Sequence, residues 1–333
     1  MSQSFELDPE VLRTQTNPHF MQSDAWGSFK NNSAWTPGVI PASDADIAAR
    51  SYTREADGFG TLIHLPRVSG LTVDNVAAFT AGINAHKSDA YAIKLEIYQH
   101  RDEELLEALL AAGWVGARST QYRYGVTAEL NEDPEVALAL LKKRARTEVR
   151  QGIARGIKTY RAESTPELTD ALLKMMEAMG ERSRSFIRSS EYLLASWNTF
   201  IERGQGSLYF AEVEDRIVAG AFVIEFGHNA FYKDAGSYRV ESTLPVGRAL
   251  QWHIIEDLGK RGFKNYDLGN IPHPDEPSES MAGLLTFKTG FSKDFVEYMP
   301  ALELPLGDNA EEWRRVEPEF IKNYRTTTGD SFY

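Results

Sequence analysis

The sequence predicts an α/β or α+β chain folded as two domains. Three observations carry that expectation. Strand-like and helical segments interleave along the whole length. The 333 residues fit two domains of about 150 residues each. A pattern also recurs. "LLAAGWVGARSTQYRYGVTAEL" and "LTFKTGFSKDFVEYMPALELPL" both run from a helix through Gly-aromatic, Gly113-Trp114 and Gly290-Phe291, into an apolar strand. The echo favours two similar domains joined near Val126 to Glu135. The expected division is residues 1–127 with 300–333 returning to them, and 128–299.

Taken in order, "GTLIHLP", "AYAIKLEIY" and "TQYRYGVTAEL" read as early strands. "IKTYRA", "SLYFAEVEDRIVAGAFVIEF", "NAFYKDAGS" and "KNYDLGNI" follow. Breaks at Glu214-Asp215 and at Gly227-His228-Asn229 read as antiparallel hairpins. Helical periodicity marks "NVAAFTAGINAH", "EELLEALLAAG", "PEVALALLKKRARTEVRQGIARG" and "TPELTDALLKMMEAMGERS". It continues in "SEYLLASWNTFIERG", "PVGRALQWHIIEDLGKRG" and "AEEWRRVEPEFIKNY".

Composition narrows the function. The chain has no Cys, which removes disulfides and thiolate metal sites. "MSQSFELDPEVLRTQ" lacks the basic and apolar regions of a signal peptide, and no apolar run reaches the roughly 18 residues of a membrane span. A cytoplasmic location is expected. No G-x-S-x-G elbow and no H-E-x-x-H pair occur, so neither a serine triad nor zinc hydrolysis is indicated.

Charge is uneven. Lys142 to Arg161 holds eight basic residues and one acid, Glu148, a local +7 in a chain of net charge −12. A helix from Pro134 to a Gly156 C-cap would bury Leu138, Leu141, Ala145, Val149 and Ile153. Lys143, Arg146 and Arg150 would share one flank, Arg144 and Arg155 the other. Solvated helix faces usually mix signs. This near-single-signed face reads as a phosphate track.

"YRVESTLPVGRALQWHIIEDLGKRGFKNYDLGN" has the layout of a GNAT-type acyltransferase core: strand, turn, helix, strand. CoA-using members carry Gln/Arg-x-x-Gly-x-Gly/Ala before the helix, whose N–H groups cradle pyrophosphate. Gly247 and Ala249 fit. Leu244 replaces the Gln/Arg, and Pro245 removes an N–H donor.

With "QSDAWGSFKNNSAW", "KKRARTEVRQGIARGIKTYRA", "RSRSFIRSSEYL", "FYKDAGS", "LPVGRALQWHIIEDLGKRGFKNYDLGNI" and "LTFKTGFSKD", the chain resembles the Fem-type (FemABX) aminoacyltransferases over nearly its whole length. It is most similar to the short members without a coiled-coil arm. The resemblance implies two GNAT-like domains in tandem with a cleft between them. It implies transfer of an amino acid from aminoacyl-tRNA, a co-substrate, to an amine of the stem peptide of a peptidoglycan precursor, UDP-MurNAc-pentapeptide or a lipid-linked form. No cofactor or metal is expected, and the chain is expected to be monomeric. The basic helix would then be the tRNA contact, through Lys143, Arg146 and Arg150.

The same resemblance assigns residues. Lys30 and Asn32 match precursor-binding positions. Arg188 and Tyr192 match an Arg-x-x-x-Tyr that would meet phosphate, the alternative being a surface pair of little energetic value. Tyr232 matches a cleft tyrosine. Asp234 stands where a short relative has a second tyrosine. It could hold a substrate ammonium or be a buried aspartate capping a turn. Phe287 and Lys288 match a Phe-Lys pair at the tRNA acceptor end, with Lys288 facing the oxyanion formed on aminolysis. Their alternative is an amphipathic segment with Phe inside and Lys outside. Glu96 and Asp234 are both candidates to take the amine's proton. Competing functions are tRNA-dependent aminoacylation of a peptide natural product, a CoA-dependent N-acyltransferase, and an RNA- or partner-binding module.

Overall fold

The computed structural model describes residues 14–40, 47–86, 89–183, 186–240, 243–275 and 279–333. The chain begins with helix α1 (Asp24–Asn31), capped by the Ser23 hydroxyl on the Trp26 N–H at 3.1 Å. Strands β1 (Thr36–Ile40), β2 (Ala49–Ala56) and β3 (Gly60–Val68) follow. Next come α2 (Val76–His86), β4 (Ala92–Ile97), α3 (Glu103–Ala111) and the short β5 (Val115–Gly116). The middle of the chain supplies β6 (Tyr124–Glu129), α4 (Pro134–Leu140), α5 (Lys143–Ala154) and β7 (Lys158–Ala162). It continues through α6 (Pro166–Ser183), α7 (Ser190–Ile201), β8 (Gly206–Val213), β9 (Arg216–Phe226) and β10 (Asn229–Ser237). After these come α8 (Val246–Lys260), β11 (Asn265–Asn270), α9 (Glu279–Lys288), β12 (Val296–Glu297), β13 (Leu302–Pro305) and α10 (Asn309–Thr328).

These elements form two compact units, residues 1–123 with 297–333, and residues 124–296. The first break lies where β6 enters the second sheet at Tyr124. In the first unit the sheet order is β1-β2-β3-β4-β13-β5. In the second it is β12-β6-β11-β10-β9-β8-β7. Each sheet contains a parallel pair beside antiparallel neighbours, β3 with β4 and β10 with β11. The hairpins lie where turn residues were expected. Glu214 and Asp215 have φ of 51° and 60°, and Gly227 has 61°.

The first core packs Ile63, Leu65, Phe79, Leu95, Leu109 and Trp114 between sheet and helices. The second packs Val126, Val149, Tyr209, Val223, Leu250 and Tyr266. β1, β2 and β5 are strands that hydrophobic alternation does not announce. β2 reads "ARSYTREA" yet buries Arg50 and Arg54, each held by a carbonyl, Gln22 O at 3.4 Å and Phe332 O respectively. Polar side chains go inside there because their donors are satisfied there.

The basic segment departs from the single helix read from periodicity. Leu141 and Lys142 are extended, with ψ of 150° and 147°, and they separate α4 from α5. Two tertiary bonds explain the break. The Lys142 N–H donates to Gly290 O at 3.0 Å. The Arg146 guanidinium donates to Ala139 O at 3.1 Å and Leu141 O at 2.8 Å, capping α4. The buried stripe of α5 is Ala145, Val149 and Gly152, while Ile153 is 60% exposed rather than buried. A Cβ on Gly152 would sit 3.0 Å from the Ala249 Cβ, so the glycine lets α8 close in where Ile153 was expected to point.

Candidate active site

The site in the second unit starts where β10 and β11 part. They pair in parallel for three residues, Asn229 to Phe231 against Asn265 to Asp267. Beyond that both strands are irregular. β10 shifts register against β9 between Tyr232 and Asp234, and β11 shifts against β6 between Asp267 and Asn270. α6 lies hard against the far end of β10, since a Cβ on Gly236 would come 2.4 Å from the Met176 N. On β11 the Asp267 carboxylate accepts the Gly269 N–H at 2.6 Å, and Gly269 takes φ 77°, a left-handed turn that favours glycine.

Lys288, the last residue of α9, fills this opening. It is 6% exposed, and its ammonium donates to Asn270 O at 2.8 Å. Burial pushes the ammonium down to about 8, and the Asp267 charge works the other way. A Cβ on Gly269 would lie 3.6 Å from Lys288 Nζ and 3.9 Å from the backbone carbonyl of Tyr232, which brings the β10 backbone and the lysine together at this turn. The amphipathic alternative therefore fails for Lys288, which is inside.

Tyr232 is half-buried and packs edge-on to Tyr266 at 6.4 Å. Burial pushes its hydroxyl up to about 12, against the pull of a hydrogen bond with Gln251. Gln251 also accepts the Tyr266 hydroxyl at 2.9 Å. Asp234 is engaged within the chain. Its Oδ2 accepts the Trp197 indole N–H at 2.8 Å and lies 3.3 Å from the neighbouring Lys233 ammonium. Through the indole bond it ties α7 to β10.

Phe287 faces the N-terminus of α8. A Cβ on Gly247 would be 3.3 Å from its ring, and Phe291 meets it edge-on at 5.4 Å. The ring borders a pocket of about 600 Å³ with Arg144, Gln151, Thr243, Gly247 and Arg248. Pro245 caps α8 without a side-chain bond, and the Val246 N–H turns back onto Leu244 O at 2.9 Å. This end of α8 thus offers fewer N–H donors than a pyrophosphate cradle uses.

The basic face is divided between two surroundings. Lys143 and Arg150 are exposed, whereas Arg146 is half-buried and committed to capping α4. The opposite flank adjoins the pocket. There Arg144 pairs with Glu148 at 2.8 Å, and Arg155 donates to the Thr243 hydroxyl at 3.0 Å. Arg188 precedes α7, and its guanidinium stacks 4.5 Å over the Tyr192 ring. The Ser189 hydroxyl between them caps the helix by accepting the Tyr192 N–H at 3.3 Å. The two side chains therefore lie together at the N-terminus of α7.

In the first unit Lys30 is on α1, not in a polar loop. It is buried, with its ammonium 5.6 Å from the Trp26 ring and 5.8 Å from Trp35. Asn32 is the exposed C-cap of α1. Glu96 is unsuited to act as a base. Although burial works to raise it, His64, Thr120 and the Arg67 charge hold it down at about 2. Its oxygens accept from His64 at 2.9 Å, from the Thr120 and Gln121 N–H groups at 2.7 and 2.8 Å, and from the Thr120 hydroxyl.

Two groups of the site escaped the sequence reading. Gln251 gave no signal in a helix that reads as amphipathic. Arg248 stood inside the loop motif at a position where any residue is allowed.

The Acetyltransferase (GNAT) domain profile matches residues 140–277. The crystal structure of FemX aligns with a TM-score of 0.79 at 18% identity, covering 92% of this chain and 96% of that one. The fold is that of FemX. Others share it less closely. The C-terminal domain (DUF2156) of a protein named as a lysylphosphatidylglycerol synthetase from Agrobacterium fabrum gives 0.55 at 13% identity, covering 97% of each chain. L-PGS from Bacillus licheniformis gives 0.54 at 11% identity, covering 92% of this chain and 99% of that one. No curated protein matches by sequence. The fold is a mixed α/β tandem of GNAT-like domains, and the GNAT profile match falls within the second unit. α6 and α7 are separated only by residues 184–189, with no inserted arm. No helix among the described residues is long and apolar enough to cross a membrane.

Proposed function

We propose that the protein transfers an aminoacyl group from aminoacyl-tRNA to an amine of the stem peptide of a peptidoglycan precursor. The observation that carries this reading is the buried Lys288 ammonium at the parting of β10 and β11, beside an α8 end poorly built for CoA pyrophosphate. In the reaction the acceptor nitrogen attacks the ester carbonyl. The carbonyl becomes an oxyanion that faces Lys288. The bond to the tRNA ribose oxygen then breaks, and that oxygen leaves with a proton while the new amide forms. The ester is already activated, so positioning and charge stabilisation supply the rate. Phe287 walls the pocket where the acceptor end enters, and Tyr232 lines the opening. Transfer from charged tRNA pools to UDP-MurNAc-pentapeptide, read by mass spectrometry, tests the whole reading. No transfer from any pool, with acyl-CoA accepted instead, would overturn it.

The exposed half of the basic face is assigned to tRNA phosphates. Lys143→Glu with Arg150→Glu is expected to weaken use of aminoacyl-tRNA and to flatten its salt dependence by about 0.7 to 0.9 in log–log slope per contact. An unchanged slope leaves α5 as ordinary surface. Arg146→Ala is expected instead to loosen the α4 end, since its donors already serve two carbonyls.

Lys30, Asn32, Arg188 and Tyr192 are assigned to the precursor. Arg188→Ala and Lys30→Ala are each expected to raise its KM by roughly tenfold or more, from loss of a charge-assisted hydrogen bond of about 1.5–3 kcal/mol. The KM for aminoacyl-tRNA is expected to stay near that of wild type. The reverse pattern would remove these residues from the precursor site.

A further inference from the structure

The one acid of the basic segment has a specific use. Glu148 reaches Arg144 with Oε1 at 2.8 Å and Arg248 with Oε2 at 2.7 Å. Arg248 is 6% exposed and belongs to the first turn of α8. Its Nη2 donates to Thr286 O at 3.2 Å, and its Nη1 donates to Phe287 O. Those carbonyls belong to the last turn of α9, where helix carbonyls have no partner within the helix, and Phe287 O also accepts the Gly290 N–H at 3.2 Å. Its guanidinium also stacks 4.7 Å from the Phe287 ring and 4.8 Å from the Phe291 ring. The space around it is fitted to that group. A Cβ on Gly290 would come 2.4 Å from Arg248 Nη1, so a side chain at residue 290 would displace the guanidinium.

We propose that Arg248, held by Glu148, is the positioning residue that seats Phe287 and Lys288 by capping the turn that carries both. The planar fork suits this task, because three nitrogens meet one carboxylate and two carbonyls at once. A lysine offers one nitrogen and cannot serve all three acceptors. The same contact links α5 to the site. Glu148 lies on the helix whose exposed face is assigned to tRNA, so a shift of α5 reaches the Lys288 turn through one ion pair.

Without the cap the last turn of α9 frays, and Lys288 leaves its contact with Asn270 O for water. The test has a readout that does not depend on tRNA. The rate at which an amine-selective acylating reagent modifies Lys288 is followed by mass spectrometry as a function of pH. In the native protein the midpoint is expected at about 8, with Asp267 the charged neighbour that acts on the ammonium. In Arg248→Lys it is expected to rise by about one pH unit or more towards the ordinary 10.5. Glu148→Gln leaves the guanidinium in place without its anchor and is expected to give a smaller rise. If Arg248→Lys fails to fold, Glu148→Gln carries the test alone. An unmoved midpoint in a folded variant overturns the proposal.

The kinetic arm rests on the transfer reading given above. There Arg248→Lys is expected to lower kcat about a hundredfold, as small misplacements of reacting groups do, with both KM values within about threefold. A kcat within twofold of wild type overturns the positioning role. A shifted midpoint in a protein that uses no charged tRNA sustains the seating of Lys288 and removes the transfer reading instead, so the two failures are distinguishable.

Discussion

Lys288→Met is expected to lower kcat for aminoacyl transfer by about a hundredfold to a thousandfold, the usual loss for one oxyanion-stabilising donor. KM for either substrate is expected to stay within about threefold, because the oxyanion does not exist in the bound ground state. The methionine keeps the stem's bulk. It also removes a buried ammonium whose folded-state affinity for its proton is depressed to about 8. The sign of the pH dependence follows from that value. The ammonium is the working form, so kcat is full below about 8 and falls as pH rises through it. A lysine acting as a neutral base would give the opposite limb, rising through the same pH. Stability runs its own way. Between about 8 and the ordinary 10.5 the unfolded chain holds more protons than the native one, so stability rises with pH there. At neutral pH the ammonium is a burden on the fold, and Lys288→Met is expected to melt at or above wild type. Turnover within about threefold of wild type at saturating substrates would exclude Lys288 as the oxyanion stabiliser.

The largest effect on stability is expected in the first unit. Lys94 on β4 is fully buried and is paired with Glu317, itself buried, on α10. The Lys94 ammonium also donates to Arg118 O at 3.0 Å, and Glu317 accepts the Tyr333 hydroxyl at 2.6 Å. Glu303, directly across from Lys94 on β13, already holds Arg314 at 2.6 Å through one oxygen. Glu317→Ala leaves Lys94 charged and enclosed, a loss of roughly 3–5 kcal/mol. Replacing both partners removes the desolvation cost with the attraction. Lys94→Met with Glu317→Leu is therefore expected to recover most of that loss. The midpoint of chemical unfolding measures both variants. A single variant within about 1 kcal/mol of wild type would show that water reaches Lys94 in the native state.

How much of this was legible in the sequence depended on how local the cause was. The hairpin turns at Glu214-Asp215 and Gly227 were readable because backbone preference alone fixes them. The strand carrying "YDLGN" and the helix before it were readable from period and turn residues. The break at Leu141-Lys142 was not. Both residues are good helix formers, and what ends α4 is Gly290 O and the Arg146 side chain. Ile153 was assigned to the core by period, yet Gly152 decides the contact by having no side chain. β2 was hidden for a third reason. Arg54 looks like surface until Phe332, 278 residues away, supplies its carbonyl and a ring 4.2 Å from the guanidinium. In the site, Lys288 and Phe287 were named from resemblance, while the seat that makes Lys288 unusual comes from Asn270, Asp267 and Arg248. None of these marks itself in one dimension. Asp234 shows the converse, a residue singled out by type whose carboxylate is already used by Trp197.

The return of the chain into the first sheet has a consequence for synthesis. β13 lies between β4 and β5, so the first unit needs residues 302–305 to close its sheet. On a ribosome β4 emerges about 200 residues earlier. At about 5–20 residues per second that interval is roughly 10 to 40 s. Throughout it, a strand buried at every position in the finished protein offers an unpaired edge. The second unit, complete by residue 296, meets no such delay. The half of the molecule that is translated first is the half that must wait, and a nascent chain stalled before β13 carries an exposed site for chaperones or for aggregation.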